Sequence, residues 1–250
     1  MSEAWIQAVL LDAAGTLIEL AEPVGETYAR RARDFEVDLP ASRIGEAFAR
    51  VLASAAPNVH PGASLERAAQ LERTWWYERV RETFRAADQM ARFSDFEGFF
   101  ETLWHDYGRA SAWRLAAGTE QALGALEERG VRLAIVSNFD QRLRPLLEEL
   151  GIHARFEAIT LPSDAGAAKP DPAIFTVCLK RLGLAAHRAI YVGDGAERDL
   201  GASRHSGPRP VEVASLATLA ELPVRLDALE SEAPPAGRRL GVTARMKDSE

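Results

Sequence analysis

Three short, unbroken apolar runs, each closed by a small or acidic tripeptide, restrict what this chain can fold into more than any other feature. They are Ala8-Val9-Leu10-Leu11, Leu133-Ala134-Ile135-Val136 and Ala189-Ile190-Tyr191-Val192, and they end in Asp12-Ala13-Ala14, Ser137-Asn138-Phe139 and Gly193-Asp194-Gly195. A strand with one wet face alternates apolar and polar residues. A strand covered on both faces does not, so these runs predict buried parallel strands. Helical patterns surround them: the one from Thr119 to Arg129 stops at Gly130, and the one from Arg142 to Leu150 stops at Gly151. Strands alternating with helices give βαβ units, and hence an α/β fold with a doubly wound, Rossmann-like parallel sheet. Ligands of such sheets sit beyond the carboxyl ends of the strands, where all three tripeptides gather.

Between the first run and Ala116 the pattern changes. From about Val24 to Ala112 the chain is rich in Ala, Arg, Glu and aromatic residues at helical spacing, broken by Pro57, Pro61 and Gly62. A stretch of roughly 90 residues is too long for a loop and predicts an inserted all-helical domain. The cluster Trp75-Trp76-Tyr77, with Phe84, Phe93, Phe96, Phe99, Phe100 and Trp104, is expected to be that domain's core. The run Arg30-Arg31-Ala32-Arg33 is expected to be a solvated helix face. The expected division is residues 1–18 and 116–230 for the α/β core, 19–115 for the helical cap, and 231–250 for a loose tail without apolar periodicity.

Composition removes several classes of function. A net charge of -7 cannot supply the counterion release that drives binding to a nucleic-acid backbone. The lone Cys178 excludes an internal disulfide and a cysteine zinc cluster. It lies in Ile174-Phe175-Thr176-Val177-Cys178-Leu179, where a small buried hydrophobe is expected, and such usage suits a reducing, cytoplasmic compartment. No run approaches the roughly 20 apolar residues of a membrane helix. The N-terminus carries Glu3 and is interrupted by Asp12, Gly15 and Glu19, which does not read as a signal peptide. The expected partner is a small molecule.

The residues that carry chemistry lie at the strand ends. Asp12 is a carboxylate that can act as a nucleophile, or merely cap a turn. Gly15-Thr16 after it suits a tight turn whose amides face inward as a nest for an anion. Ser137 supplies a hydroxyl. Lys169, in Lys169-Pro170-Asp171-Pro172, supplies a point charge suited to phosphate. Lysine is scarce, occurring only as Lys169, Lys180 and Lys247, which favours a functional reading over a surface one. Asp171 suits a helix cap with Pro172 after it. Asp194 and Asp199 place two acids near one strand end, where they repel unless a hard cation such as Mg2+ joins them.

These pieces, taken in order, resemble the signature of the haloacid dehalogenase superfamily of hydrolases, and the spacing is similar to that of its helical C1-cap subfamily. The matching residues are Asp12-Ala13-Ala14-Gly15-Thr16-Leu17, Val136-Ser137-Asn138, Lys169-Pro170-Asp171-Pro172, and Gly193-Asp194 with Asp199. The resemblance spans about residues 5 to 225. It implies that Asp12 takes a phosphoryl group as an aspartyl-phosphate, and that Lys169 joins it in catalysis. It further implies that Gly15, Thr16, Ser137, Asn138 and Lys169 bind the phosphate. Mg2+ is expected on Asp12, the carbonyl of Ala14, Asp194 and Asp199.

The chain departs from that pattern twice. The family's phosphatases have a second Asp two residues after the nucleophile, which protonates the leaving oxygen and activates water. Here the position holds Ala14, and general acid/base catalysis is worth roughly 10²- to 10⁴-fold. Gly195 stands where many relatives have Ser. The resemblance therefore implies a Mg2+-dependent phosphatase of a small metabolite, weakened at Ala14; Glu19, Glu22, His60 and His105 are candidates for a substitute proton donor, each read first as a surface residue. The alternatives are a 2-haloacid dehalogenase type of enzyme, since halide leaves without a proton, or an impaired regulatory protein that binds phosphate and Mg2+. Phosphonate cleavage through a cap lysine is excluded, because no lysine precedes Lys169.

Overall fold

A computed structural model describes residues 5–88, 92–194, 200, 203 and 207–232. The first strand, β1 (Ala8–Leu11), leads through a tight turn into β2 (Ile18–Leu20). Four helices follow: α1 (Val24–Arg33), α2 (Ala41–Ser54), α3 (Leu65–Ala87) and α4 (Phe96–Asp106). The chain returns in β3 (Trp113–Leu115), antiparallel to β2, so a short two-stranded ribbon carries both connections to the helical insertion. Then come α5 (Thr119–Glu128), β4 (Arg132–Val136), α6 (Leu143–Glu149), β5 (Ala158–Thr160), α7 (Pro162–Ala165) and α8 (Ala173–Leu182). Last in order are β6 (Ala189–Gly193), β7 (Arg209–Glu212) and α9 (Leu222–Glu230).

The main sheet runs β5-β4-β1-β6-β7, every pair parallel, with β1 at its centre. Alternate residues of each strand serve opposite faces, and both faces are covered. Val9, Leu11, Leu133, Ile135, Ile190 and Val192 pack with residues of α5, α6 and α9. Ala8, Leu10, Ala134, Val136, Ala189 and Tyr191 pack with Ile174, Phe175 and Cys178 of α8. This is why the three runs are unbroken. Cys178 is fully buried, and burial pushes its thiol up to about 11. Asp171 accepts a hydrogen bond from the Ala173 N–H at 2.9 Å and so caps α8.

The helical insertion has a core of its own, in which Tyr28, Ile44, Val80, Phe84, Phe99 and Leu103 meet. Phe99 stacks on Phe93 and meets Phe84 edge-on, centroids 4.6 and 5.2 Å apart. The expected aromatic core is therefore present, but it does not absorb every ring. Trp75, Trp76, Phe100 and Trp104 line a cavity facing the sheet, because α3 and α4 each present one aromatic edge to the strand ends. The three strands read from the sequence do not include the β2–β3 ribbon, whose three-residue strands are too short to show a period. Glycine and proline also play their punctuating parts: Gly15 has φ +80°, and the Lys169-Pro170 peptide is cis.

Phe99→Ala should destabilise the insertion by about 3–5 kcal/mol, because it empties a fully buried ring site. Urea unfolding followed by tryptophan fluorescence should register it, since Trp75, Trp76, Trp104 and Trp113 lie in or beside the insertion. An unchanged midpoint would contradict the packing described.

Candidate active site

β1 and β6 are neighbours in register, Leu11 beside Val192, and the Asp12 N–H extends the ladder by one bond to the Val192 carbonyl at 2.9 Å. This fixes Asp12 at the carboxyl edge of the sheet. Asp12 is only 5% exposed, yet it lies on the floor of the cavity. One carboxylate oxygen accepts from the Ala13 N–H at 2.7 Å. The other accepts from Lys169 Nζ at 2.6 Å. Lys169 is 1% exposed and also donates to the Tyr191 hydroxyl at 2.8 Å. A lysine cannot stay charged at such burial unless partners replace its water, and these are its partners.

Two glycines make the arrangement possible. A Cβ on Gly193 would lie 2.9 Å from the Tyr191 hydroxyl oxygen, so a side chain there displaces the phenol that holds Lys169. A Cβ on Gly15 would lie 3.0 Å from Asp194 Oδ2, on a backbone with positive φ that already favours glycine. Asp194 therefore stands directly across the first turn, exposed, and lines the same cavity as Asp12.

Ser137 is buried at the end of β4. Its Oγ accepts from the Phe139 N–H at 3.3 Å and donates to no described residue, which leaves its O–H proton for the cavity. Asn138 faces the cavity, but its amide is committed to the main chain of Lys169. Its Nδ2 donates to the Lys169 carbonyl at 2.9 Å, and its Oδ1 accepts from the Lys169 N–H at 2.8 Å. The side chain thus clamps the lysine in place, so its amide is not available to phosphate.

The expected anion nest at Gly15 and Thr16 is not formed by their amides. The Gly15 N–H donates to the Ile18 carbonyl at 2.9 Å and the Thr16 N–H to the Ala13 carbonyl at 3.2 Å. Both are consumed in closing the turn into β2, and neither residue lines the cavity. The Thr16 hydroxyl is buried without a partner. Asp199 and Gly195 lie outside the described residues, as does the chain from 233 on. Ala14 does line the cavity beside Asp12.

None of the four candidate proton donors lines the cavity, in keeping with their reading as surface residues. Glu19 pairs with Arg114 at 2.9 Å and Glu22 with Arg30 at 2.8 Å. His60 is bonded to the Asn58 side chain at 2.9 Å, and His105 is exposed on α4. Among the described lining residues the carboxylates are Asp12 and Asp194 alone.

A second polar cluster joins the insertion to the core. The Trp76 indole N–H donates to Asp140 Oδ2 at 2.8 Å, and Arg142 grips the same carboxylate at 2.7 and 2.9 Å. Arg142 also donates to the Trp104 carbonyl at 3.1 Å, and its guanidinium lies 3.5 Å from the Trp104 ring centre. Beside them the Gln141 N–H donates to Glu72 of α3 at 3.2 Å. Glu72 is 3% exposed, and burial, with Asp140 nearby, raises its carboxyl to about 7. The Gln141 N–H and Arg142 oppose that rise without cancelling it. Sequence reasoning missed Tyr191, hidden in an apolar strand, and this whole cluster, whose contacts between the insertion and the core join residues 38 to 69 apart in the chain.

The cavity between insertion and sheet encloses about 720 Å³. Its floor carries Asp12, Ser137, Lys169 and Asp194; its walls are largely apolar.

Comparison with known proteins gives concordant results. A family model described as haloacid dehalogenase-like hydrolase matches residues 6–207. Haloacid dehalogenase-like hydrolase domain-containing protein 3 of Bos taurus is 32% identical over 214 residues, 81% of this chain and 83% of that protein. Phosphoserine phosphatase of Thermus thermophilus is 33% identical over 95 residues, 38% of each chain. The crystal structure of a dehalogenase superposes with TM-score 0.62 at 21% identity, covering 85% of this chain and 86% of that one.

The Glu72 carboxyl gives a signed test. Its folded value lies above the ordinary glutamate value of 4.5, so between pH 4.5 and 7 the folded state binds the extra proton and stability falls as pH rises. Glu72→Gln should match the parent near pH 5 and melt several degrees higher than it near pH 8, at about 2–4 °C per kcal/mol for a chain of this length. Thermal melts at the two pH values decide it. A difference that does not grow with pH removes the assignment.

Proposed function

The chain belongs to the haloacid dehalogenase-like hydrolases, and from there we propose that it is a Mg2+-dependent phosphatase of a small phosphorylated molecule, working through an aspartyl-phosphate on Asp12. The observation that carries this reading is the buried Asp12–Lys169 pair at the floor of a partly open cavity, with Ser137 and Asp194 lining the same floor. A phosphatase named among the relatives supports the same class.

The donors fit a hard cation. Asp12 and Asp194 line the same cavity, with Asp194 against the Gly15 turn that follows Asp12, and carboxylates gathered in this way suit a hard cation. Asp12, Asp194 and the carbonyl of Ala14 would hold Mg2+, with Asp199 as the further acid expected from the sequence. When bound, the ion would neutralise phosphate charge and so let an anionic nucleophile approach.

The remaining work falls to the chain itself. Lys169 holds Asp12 in one orientation and lends positive charge where the phosphoryl oxygens gather. Ser137 donates its free proton to one of those oxygens. Asp12 attacks phosphorus, and the bond to the leaving oxygen breaks. Water then attacks the acyl phosphate and returns Asp12 to its carboxylate. No group at position 14 assists either proton transfer, so both steps run without the general acid and base of an Asp.

That same lack of a proton donor favours a second reading, a carbon–halogen hydrolase, because halide departs unprotonated. Asp194 and Lys169 favour phosphate instead. Phosphate release from p-nitrophenyl phosphate, set against chloride release from 2-chloropropionate, separates the two. Asp12→Asn should abolish the phosphate signal, and Asp194→Asn should greatly weaken Mg2+ binding in calorimetry. Neither product from the parent chain would leave a protein that binds phosphate without turnover.

Ala14→Asp should raise turnover of alkyl phosphates by up to roughly 10²-fold, the lower end of general-acid effects, with Mg2+ affinity unchanged. A folded variant with parental Mg2+ affinity and no gain on alkyl phosphates would show that the missing acid does not limit the enzyme.

A further inference from the structure

We infer that the leaving group this cavity takes is a flat, uncharged aryl alcohol, so that the substrate is an aryl phosphate monoester and not a sugar or carboxylated metabolite phosphate. The inference rests on the phosphatase reading above and adds the class of substrate.

The walls argue for an apolar, planar body. Tyr28, Phe48, Trp75, Phe100, Trp104 and Trp113 line the cavity, drawn from the helical insertion and the ribbon that joins it to the sheet. Aromatic rings pack face-offset or edge-on against other rings, and each such pair adds to simple burial. A polyol in the same place would find few polar partners on the wall, chiefly Asn58 and the hydroxyls of Tyr28 and Tyr107, and each of its hydroxyls left over would cost free energy.

Charge is confined to the floor. The only guanidinium lining the cavity among the described residues is Arg142, and it is spent. It makes two bonds to Asp140, one to the Trp104 carbonyl, and stacks over the Trp104 ring. No described cation on the wall remains to pair with a second phosphate or a substrate carboxylate.

The chemistry at Ala14 points the same way. As Asp12 forms its bond to phosphorus, the bond from phosphorus to the leaving oxygen breaks and its electron pair departs on that oxygen. An alkoxide, whose acid has a pKa roughly that of water at 15.7, needs a proton at that moment. A phenoxide, whose acid has a pKa of about 10, leaves without one and is protonated later by solvent. In the second step water attacks phosphorus, the pair returns to the Asp12 carboxylate, and the protons of water go to phosphate and solvent. Lack of an acid therefore penalises alkyl esters by roughly 10²- to 10⁴-fold and spares aryl esters.

Four donors test this with Mg2+ present: 2-naphthyl phosphate, 2-naphthylmethyl phosphate, glycerol 1-phosphate and acetyl phosphate. The expected order of kcat/KM places 2-naphthyl phosphate at least 100-fold above glycerol 1-phosphate. The naphthylmethyl ester should share the low KM of the aryl ester but not its kcat. Phe48→Ala, checked as folded by circular dichroism, should raise the KM for 2-naphthyl phosphate about tenfold. Asp12→Asn, which cannot turn over, should still bind 2-naphthyl phosphate more tightly than glycerol 1-phosphate in calorimetry. Asp12-dependent release from acetyl phosphate with glycerol 1-phosphate as good as the naphthyl ester overturns the aryl inference alone. An unchanged KM in Phe48→Ala does the same. No Asp12-dependent release from any of the four overturns the phosphatase reading, and the inference with it.

Discussion

The buried ion pair between Asp12 and Lys169 is the contact on which the arrangement of this site depends. Taking both charges out of water costs several kcal/mol each, and their attraction repays it only when the remaining hydrogen-bonding capacity is satisfied. The fold meets that condition from three separate strands' ends. The Ala13 N–H serves the far oxygen of Asp12, the Tyr191 hydroxyl serves the ammonium, and Asn138 anchors the lysine's main chain on both sides. Gly193 is required because Tyr191 occupies the space a side chain would need. Removing either Asp12 or Lys169 leaves the other charge uncompensated, and that is costlier than never having buried the pair.

A parallel sheet with β1 at its centre explains why these residues can meet at all. Asp12, Ser137 and Asp194 follow β1, β4 and β6, three adjacent strands, and each points past the same edge. The helical insertion then closes over that edge and supplies an apolar wall. In such an enclosure fixed charges act at a lower effective dielectric than in water, so the same lysine and hydroxyl are worth more to a developing anion. The polar floor and apolar wall have different origins in the chain, since the floor comes from strand ends and the wall mainly from α1 to α4.

The sheet was legible because strands covered on both faces leave an unbroken apolar signature, and β1, β4 and β6 carry it plainly. The insertion was legible from its length and helical spacing. The β2–β3 ribbon was not, since Ile18-Glu19-Leu20 and Trp113-Arg114-Leu115 are each too short to establish a period. At the site, Asp12, Ser137, Lys169 and Asp194 were legible as polar residues in places that strands put together. The task of Asn138 and the closure of the Gly15-Thr16 turn were not, because they depend on which way an amide or an N–H points. Tyr191 was masked by its strand: in an apolar run a tyrosine reads as one more hydrophobe. Trp75 and Trp104 were read as core because helical spacing says that a ring is on an apolar face, without saying whether that face meets another helix or an open cavity.

Two buried carboxylates in this molecule meet the same problem by opposite means. Asp12 is bonded to a lysine buried in the interior with it. Glu72, with no cation bonded to it, is held near neutrality by burial and by Asp140, and its proton binds at about pH 7. Both are tied to the segment after β4. Residues 137 and 138 serve the floor of the cavity, while Asp140, Gln141 and Arg142 bind α3 and α4. One short segment after β4 therefore contributes both to the floor of the cavity and to the contacts that hold α3 and α4.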